Sequence, residues 1–344
     1  MADTPLSGTR LCIAPRHVTS FTCRAASCPL ADGGPVPPRC PALRDLHLSS
    51  LYERSLLLVC PHAAAQVLFF RGKFHFEMNS VPAGSLRPAN QDVPTLDEPL
   101  PELSYILDLQ RTCLRILETQ KYTIDVRLIL LGLYLEDAVD FISDGHGYDL
   151  GKIIKSYESP LFAARFDAAL RNVKFDPLKH LDFLWGIVRT LASAPGAPLD
   201  REDFAQTASA FHLDAPAPDL AQIARAWPVC RRSLEGYVLL PHEKLLENFL
   251  LHQFYTELYP CAVPGGLIHN YWIFVLGYKV FELLLTGRAA IGRQSFNDAE
   301  LAAFAARAAR LLQTPAGLHA IETALAPREE DSLGLFNLLF HSLK

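Results

Sequence analysis

From residue 101 onward the chain is written in a helical period. In "PELSYILDLQRTCLRILETQ", Leu103, Ile106, Leu107, Leu114 and Leu117 fall close to one face, which predicts an amphipathic helix. A second helix is predicted over "TIDVRLILLGLYLEDAVDFI", with Thr123 as its N-cap, Asp125 in its first turn and Gly145 past its end. The same period returns in "SPLFAARFDAALRNV", "PLKHLDFLWGIVRTLASA", "DLAQIARAWPVCRRSLEGY", "HEKLLENFLLHQFYTELY", "IHNYWIFVLGYKVFELLLTG", "NDAELAAFAARAARLLQT" and "GLHAIETAL". Nearer the start, Pro61 opens a short helix over "HAAAQVLFF". No alternation of period two appears beyond residue 80, and no repeat of fixed length is present. The pattern predicts an all-α fold, a multi-helix body with an irregular cysteine- and proline-rich N-terminal arm.

Punctuation by Pro and Gly divides the chain. Residues 1–42 form the cysteine-containing arm, expected to be loop, and 43–80 hold a Cys-Pro segment and its short helix. Residues 81–101 read as a proline-rich linker and 102–193 as a helical region. Residues 194–219 form a looser connection around one short helix, and 220–344 are a C-terminal helical region.

Composition narrows the classes. Half of the 344 residues are hydrophobic, enough for a large core. Lys and Arg number 32 against 37 Asp and Glu, a net charge of -5, which gives no electrostatic footprint for nucleic acid. The apolar stretch from Leu267 to Gly287 carries His269, Lys279 and Glu282 and reads as a core helix rather than a membrane span. "MADTPLSGTRLCIAPRHVTS" has no apolar export region, so the expected location is cytoplasmic. Eight cysteines in such a compartment point to thiols or metal ligands ahead of disulfides.

Candidate chemistry is sparse. "SDGHGYDLGKI" has Gly145, Gly147, Gly151 and Lys152, but five residues rather than four precede the Gly-Lys pair, Ile153 follows, and a helix precedes. It fails the phosphate-loop test and reads as a helix connection. His242 and His252 lie ten positions apart and make a poor zinc pair on one helix. Glu247, Asn248 and His252 interrupt an apolar stripe, where such groups are either solvated or hydrogen-bonded in the core.

Three segments in order resemble the flagellin lysine N-methylase family. They are "YERSLLLVCPHAAAQVLFF", "ILETQKYTIDVRLILLGLYLEDA" and "HEKLLENFLLHQFYTELYP" followed by "HNYWIFVLGYKVFELLLTG". Val59 and His62 stand where the family has Ser and Glu. The resemblance implies a protein-lysine N-methyltransferase that uses S-adenosylmethionine, acts on flagellin and carries an iron–sulfur cluster. "FTCRAASC" is similar to the family's opening Phe-x-Cys-x4-Cys, so Cys23 and Cys28 correspond to its first two cysteines and Cys60 to its Cys-Pro cysteine. The family's following Cys-Cys pair and its Cys-Pro-Phe-Leu stretch have no counterpart, and Cys40 alone lies between Cys28 and Cys60. Cys23, Cys28, Cys40 and Cys60 are the best ligand set, four thiolates being enough for one cluster or one zinc. On the family-like helices the side chains able to assist proton removal are Glu247, Tyr255, Tyr259 and Tyr271. The alternative is a non-catalytic all-α paralogue that acts as a protein-interaction scaffold after loss of the iron–sulfur site.

Overall fold

The computed structural model describes residues 9–15, 21, 40, 42–48, 51–82, 103–144, 150–157, 159–171, 175–193, 201–214, 219–256, 259, 266–292, 297–313, 315–328 and 332–340. In chain order the helices are α1 (Pro61–Leu68), α2 (Leu103–Leu117), α3 (Ile124–Ser143), α4 (Leu150–Tyr157), α5 (Pro160–Leu170), α6 (Pro177–Ser193), α7 (Arg201–Ala210), α8 (Leu220–Leu234), α9 (Leu245–Phe254), α10 (Gly266–Ile291), α11 (Asp298–Leu312), α12 (Pro315–Leu325) and α13 (Ser332–Leu339). The helical class read from the sequence holds. The starts are set locally. Thr123 accepts from the Val126 amide, Ser159 from Phe162 and Asn297 from Glu300, each satisfying an N–H of a first turn that has no partner inside its helix. Two helices had no predicted counterpart, α13 at the C-terminal end and α4, which begins at Leu150 and so takes in Gly151 and Lys152 of the stretch read as a connection.

The strands are the other departure. β1 (Thr9–Pro15), β2 (Leu43–Leu48), β3 (Leu51–Leu56) and β4 (Phe76–Pro82) form one sheet in the order β2-β3-β1-β4. The arm expected to be loop therefore contributes a strand. β2 and β3 make a hairpin, but β1 pairs parallel with β3 (Leu11 opposite Leu51) and antiparallel with β4 (Thr9 opposite Pro82). Such distant pairing gives no local signal strong enough to read as an element.

α10 is the axis of the body. It packs against α3, α6, α7, α8, α9, α11 and α12, so nearly every face of its 26 residues is covered. No helix among the described residues is long and apolar enough to cross a membrane, in accord with the core reading of this stretch. Close crossings are made by glycine. A Cβ on Gly132 of α3 would lie 2.7 Å from the Tyr271 ring, and one on Gly287 would lie 2.8 Å from the Thr207 backbone of α7.

Charges buried on α10 are paired. Lys279 Nζ lies 2.5 Å from Asp125 Oδ1 and 3.0 Å from Glu282 Oε2, and Arg231 Nη1 lies 2.6 Å from Glu282 Oε1. Burial alone would lower the Lys279 pKa, but the Asp125 and Glu282 carboxylates outweigh it and hold the ammonium above its ordinary value. The quartet is electrically balanced and ties α3, α8 and α10 together.

Polar residues of α9 dock the sheet module on the body. His252 donates through Nε2 to the Leu56 carbonyl at 2.5 Å. Asn248 Nδ2 donates to the carbonyls of Leu68 and Phe70 at 3.0 and 2.8 Å, and Arg310 of α11 donates to that of Val59 at 2.8 Å. These groups therefore take the core-bonded one of the two environments expected for polar residues in an apolar stripe.

Candidate functional site

Two places carry chemistry. The first is the open end of the β2–β3 hairpin. Leu43 faces Leu56, which sets Cys40, three residues before Leu43, and Cys60, four after Leu56, beyond the same end of the pair. The Leu43 amide donates to the Cys40 carbonyl at 3.0 Å, and Leu57 donates to the Ala42 carbonyl at 2.7 Å, folding this turn back on the hairpin. Cys60 is buried and is the N-cap of α1, with Pro61 next and the Ala63 amide donating to Sγ at 3.4 Å. The sulfur thereby takes up an N–H of the first turn that has no partner inside the helix. Cys23 and Cys28 lie outside the described residues. Among the described residues no group of three or more His, Cys, Asp or Glu side chains could hold a metal ion.

The second place is a slot of about 110 Å³ where the C-terminal end of α9 meets α10, α11 and α12. Phe274, Leu312 and Ile321 give it apolar walls, while Gln253, Asn270 and Gln313 bring amides to it and Tyr259 a phenol. The Tyr259 ring is held between Phe254 (5.0 Å between centroids) and Phe274 (4.7 Å). The side-chain oxygens of Gln253 and Gln313 are buried and accept no hydrogen bond from the described residues. Leaving such an acceptor dry costs free energy, so two beside one opening make it a place that can take a donor.

The four residues picked from the sequence do not converge. Glu247 accepts from Arg127 Nη1 at 2.8 Å and from Gln120 Nε2 at 2.7 Å, while the Arg127 guanidinium also donates to the carbonyls of Leu117 and Tyr122. Glu247 thus clamps the α2–α3 turn to α9. Tyr271 is sealed in the core and donates to the Leu128 carbonyl at 2.9 Å. Tyr255 packs on Phe74. Burial, and then the Glu136 carboxylate for Tyr271 and Glu118 for Tyr255, raises both phenols above their ordinary range, so they stay protonated. Tyr259 alone of the four lines the slot. Gln253, Asn270 and Gln313 were not singled out in the sequence. Their only signal there is an amide set among apolar neighbours on three helices.

A model of the FliB lysine N-methylase C-terminal domain matches residues 110–333, close to two thirds of the chain. The chain belongs to the FliB lysine N-methylase family. Neither a curated protein nor a solved structure gives a match. The FliB domain runs from within α2 to the start of α13 and contains the slot, the Glu247–Arg127 clamp and the buried quartet. The cysteine-bearing sheet module lies before it.

Proposed function

We propose that this protein is a protein-lysine N-methyltransferase that acts on flagellin with S-adenosylmethionine as methyl donor. The observation that carries the reading is the match of the helical body to the FliB lysine N-methylase C-terminal domain; the substrate and the donor come from the resemblance of the three sequence segments. The chemistry sets what the site must provide. A lysine ammonium has no lone pair, so its nitrogen must lose a proton before it can attack a methyl carbon. A desolvated, apolar surrounding lowers the lysine pKa, and alignment of nitrogen with methyl supplies much of the remaining acceleration. The slot has such walls and lies inside the matched domain.

Cys60 and Cys40 fit as two thiolates of an iron–sulfur site, by their common position at the hairpin end and by the backbone N–H that Cys60 accepts. With Cys23 and Cys28 they would hold the cluster, whose thiolate-to-iron charge transfer would colour the protein brown. Flagellin before assembly is the expected form of the substrate, since packing in a filament covers its lysine amines, and the cytoplasm is the place that implies.

The test is to incubate purified flagellin with the anaerobically prepared, metal-reconstituted protein and S-adenosylmethionine. Mass spectrometry should show lysines heavier by whole methyl groups. Repeated absence of added mass would overturn the assignment.

A further inference from the structure

We infer that the α9–α12 slot receives the side chain of the lysine to be methylated, with the amide oxygens of Gln253 and Gln313 accepting the hydrogens of its neutral amine. This rests on the lysine-methylase reading and assigns it a place. Three observations lead there. The slot is small, with the volume that about three to four waters occupy in the liquid, which suits one slender unbranched chain. Its apolar walls match four methylenes. Gln253 Oε1 and Gln313 Oε1, which accept no hydrogen bond from the described residues, are both acceptors, and an amine end brings donors for both.

The choice of amides over carboxylates has a chemical consequence. Among the described residues no Asp or Glu lines the slot, and Tyr259 is the titratable residue there. A carboxylate would stabilise the ammonium and hold the nitrogen's lone pair on a proton. Neutral amide oxygens orient the N–H bonds without fixing a counter-charge, so desolvation by the walls favours the reactive amine. The lone pair then attacks the sulfonium methyl carbon of the donor. An N–C bond forms as the C–S bond breaks, the electron pair leaves on sulfur as a neutral thioether, and the methylated nitrogen, now cationic, releases a proton to water.

The experiment separates this inference from the function it rests on. Binding of n-butylamine to the full-length protein is followed by saturation-transfer NMR across pH 7 to 10, beside n-butyltrimethylammonium, which has no N–H. Butylamine should bind more tightly as pH rises, and the quaternary cation at least tenfold more weakly. Gln253→Met and Gln313→Met should each weaken butylamine about tenfold, the loss expected for one hydrogen bond to a buried group. Each should also leave the melting temperature of the free protein equal or higher, because an unsatisfied buried acceptor has been removed. A quaternary ion that binds as well as butylamine, or Met variants that bind it unchanged, would overturn the inference even if methylation is observed. If flagellin is never methylated, the amine binding still decides what the slot holds. In an active enzyme Gln313→Glu should move the pH–rate profile to more alkaline pH by about a unit, a shift that a merely structural Gln313 would not produce.

Discussion

Replacing Lys279 by Met should expose how much of the body hangs on the buried quartet. The Met side chain follows most of the lysine stem, so the cavity left is small and the change is one of charge. Lys279 is fully buried and contacts carboxylates that are themselves 5% and 8% exposed. Glu282 keeps Arg231 at 2.6 Å, so the burden falls on Asp125. Removing one partner of a buried pair costs about 3–5 kcal/mol. Asp125 stands in the first turn of α3, whose dipole offsets about 1 kcal/mol of that. The expected loss is therefore about 2–4 kcal/mol, or roughly 3–6 °C in melting temperature for a chain of this length. Urea unfolding at pH 7 measures it. Two further arms identify the cause. Adding Asp125→Asn to Lys279→Met should recover at least half the loss, because it restores neutrality. The loss should also shrink as pH falls towards 5, since a proton taken up by the buried carboxylates relieves their excess negative charge. A single-variant loss below about 1 kcal/mol, or a double variant worse than the single, would refute the account of the quartet.

The remaining predictions concern the docking of the sheet module and its cysteines. Burial lowers the His252 pKa to about 4, against an ordinary 6.5, so the neutral ring is the folded form. The unfolded chain then binds more protons between those values: the His252 contribution is complete above about pH 6.5 and is lost as pH falls towards 4, by about 3 kcal/mol in all. His252→Gln should flatten that part of the urea-midpoint profile, and an equally steep profile would count against it. Cys60→Ser should keep the helical content, since Ser is itself a good N-cap, while iron retained by anaerobically purified protein falls below about a tenth of an equivalent. A wild-type protein that itself holds neither iron nor zinc would remove the four cysteines as a site.

What the sequence determined by itself is what short-range chemistry determines. The cap at Thr123, the 3.6-residue stripes and the proline boundaries gave most of the helices, because each depends on groups within one or two turns. The three family-like segments likewise pointed to the lysine N-methylase family that the match to residues 110–333 shows. The sheet was decided by tertiary structure, because β1 finds its partners some forty to seventy residues away, at Leu51 and Pro82. So was the meaning of polar side chains on apolar helices. On α9, Glu247, Asn248 and His252 looked alike as polar interruptions; the fold spends the first on Arg127 and the other two on backbone carbonyls of the sheet module. Gln253, one position after His252, is left with a bare oxygen beside a slot that it shares with Asn270 of α10 and with Gln313, the C-cap of α11. Sixty residues separate Gln253 from Gln313, and no period in the chain links them. Their meeting depends on how α9, α10 and α11 cross, and crossing is fixed by packing between helices rather than by the pattern within any one.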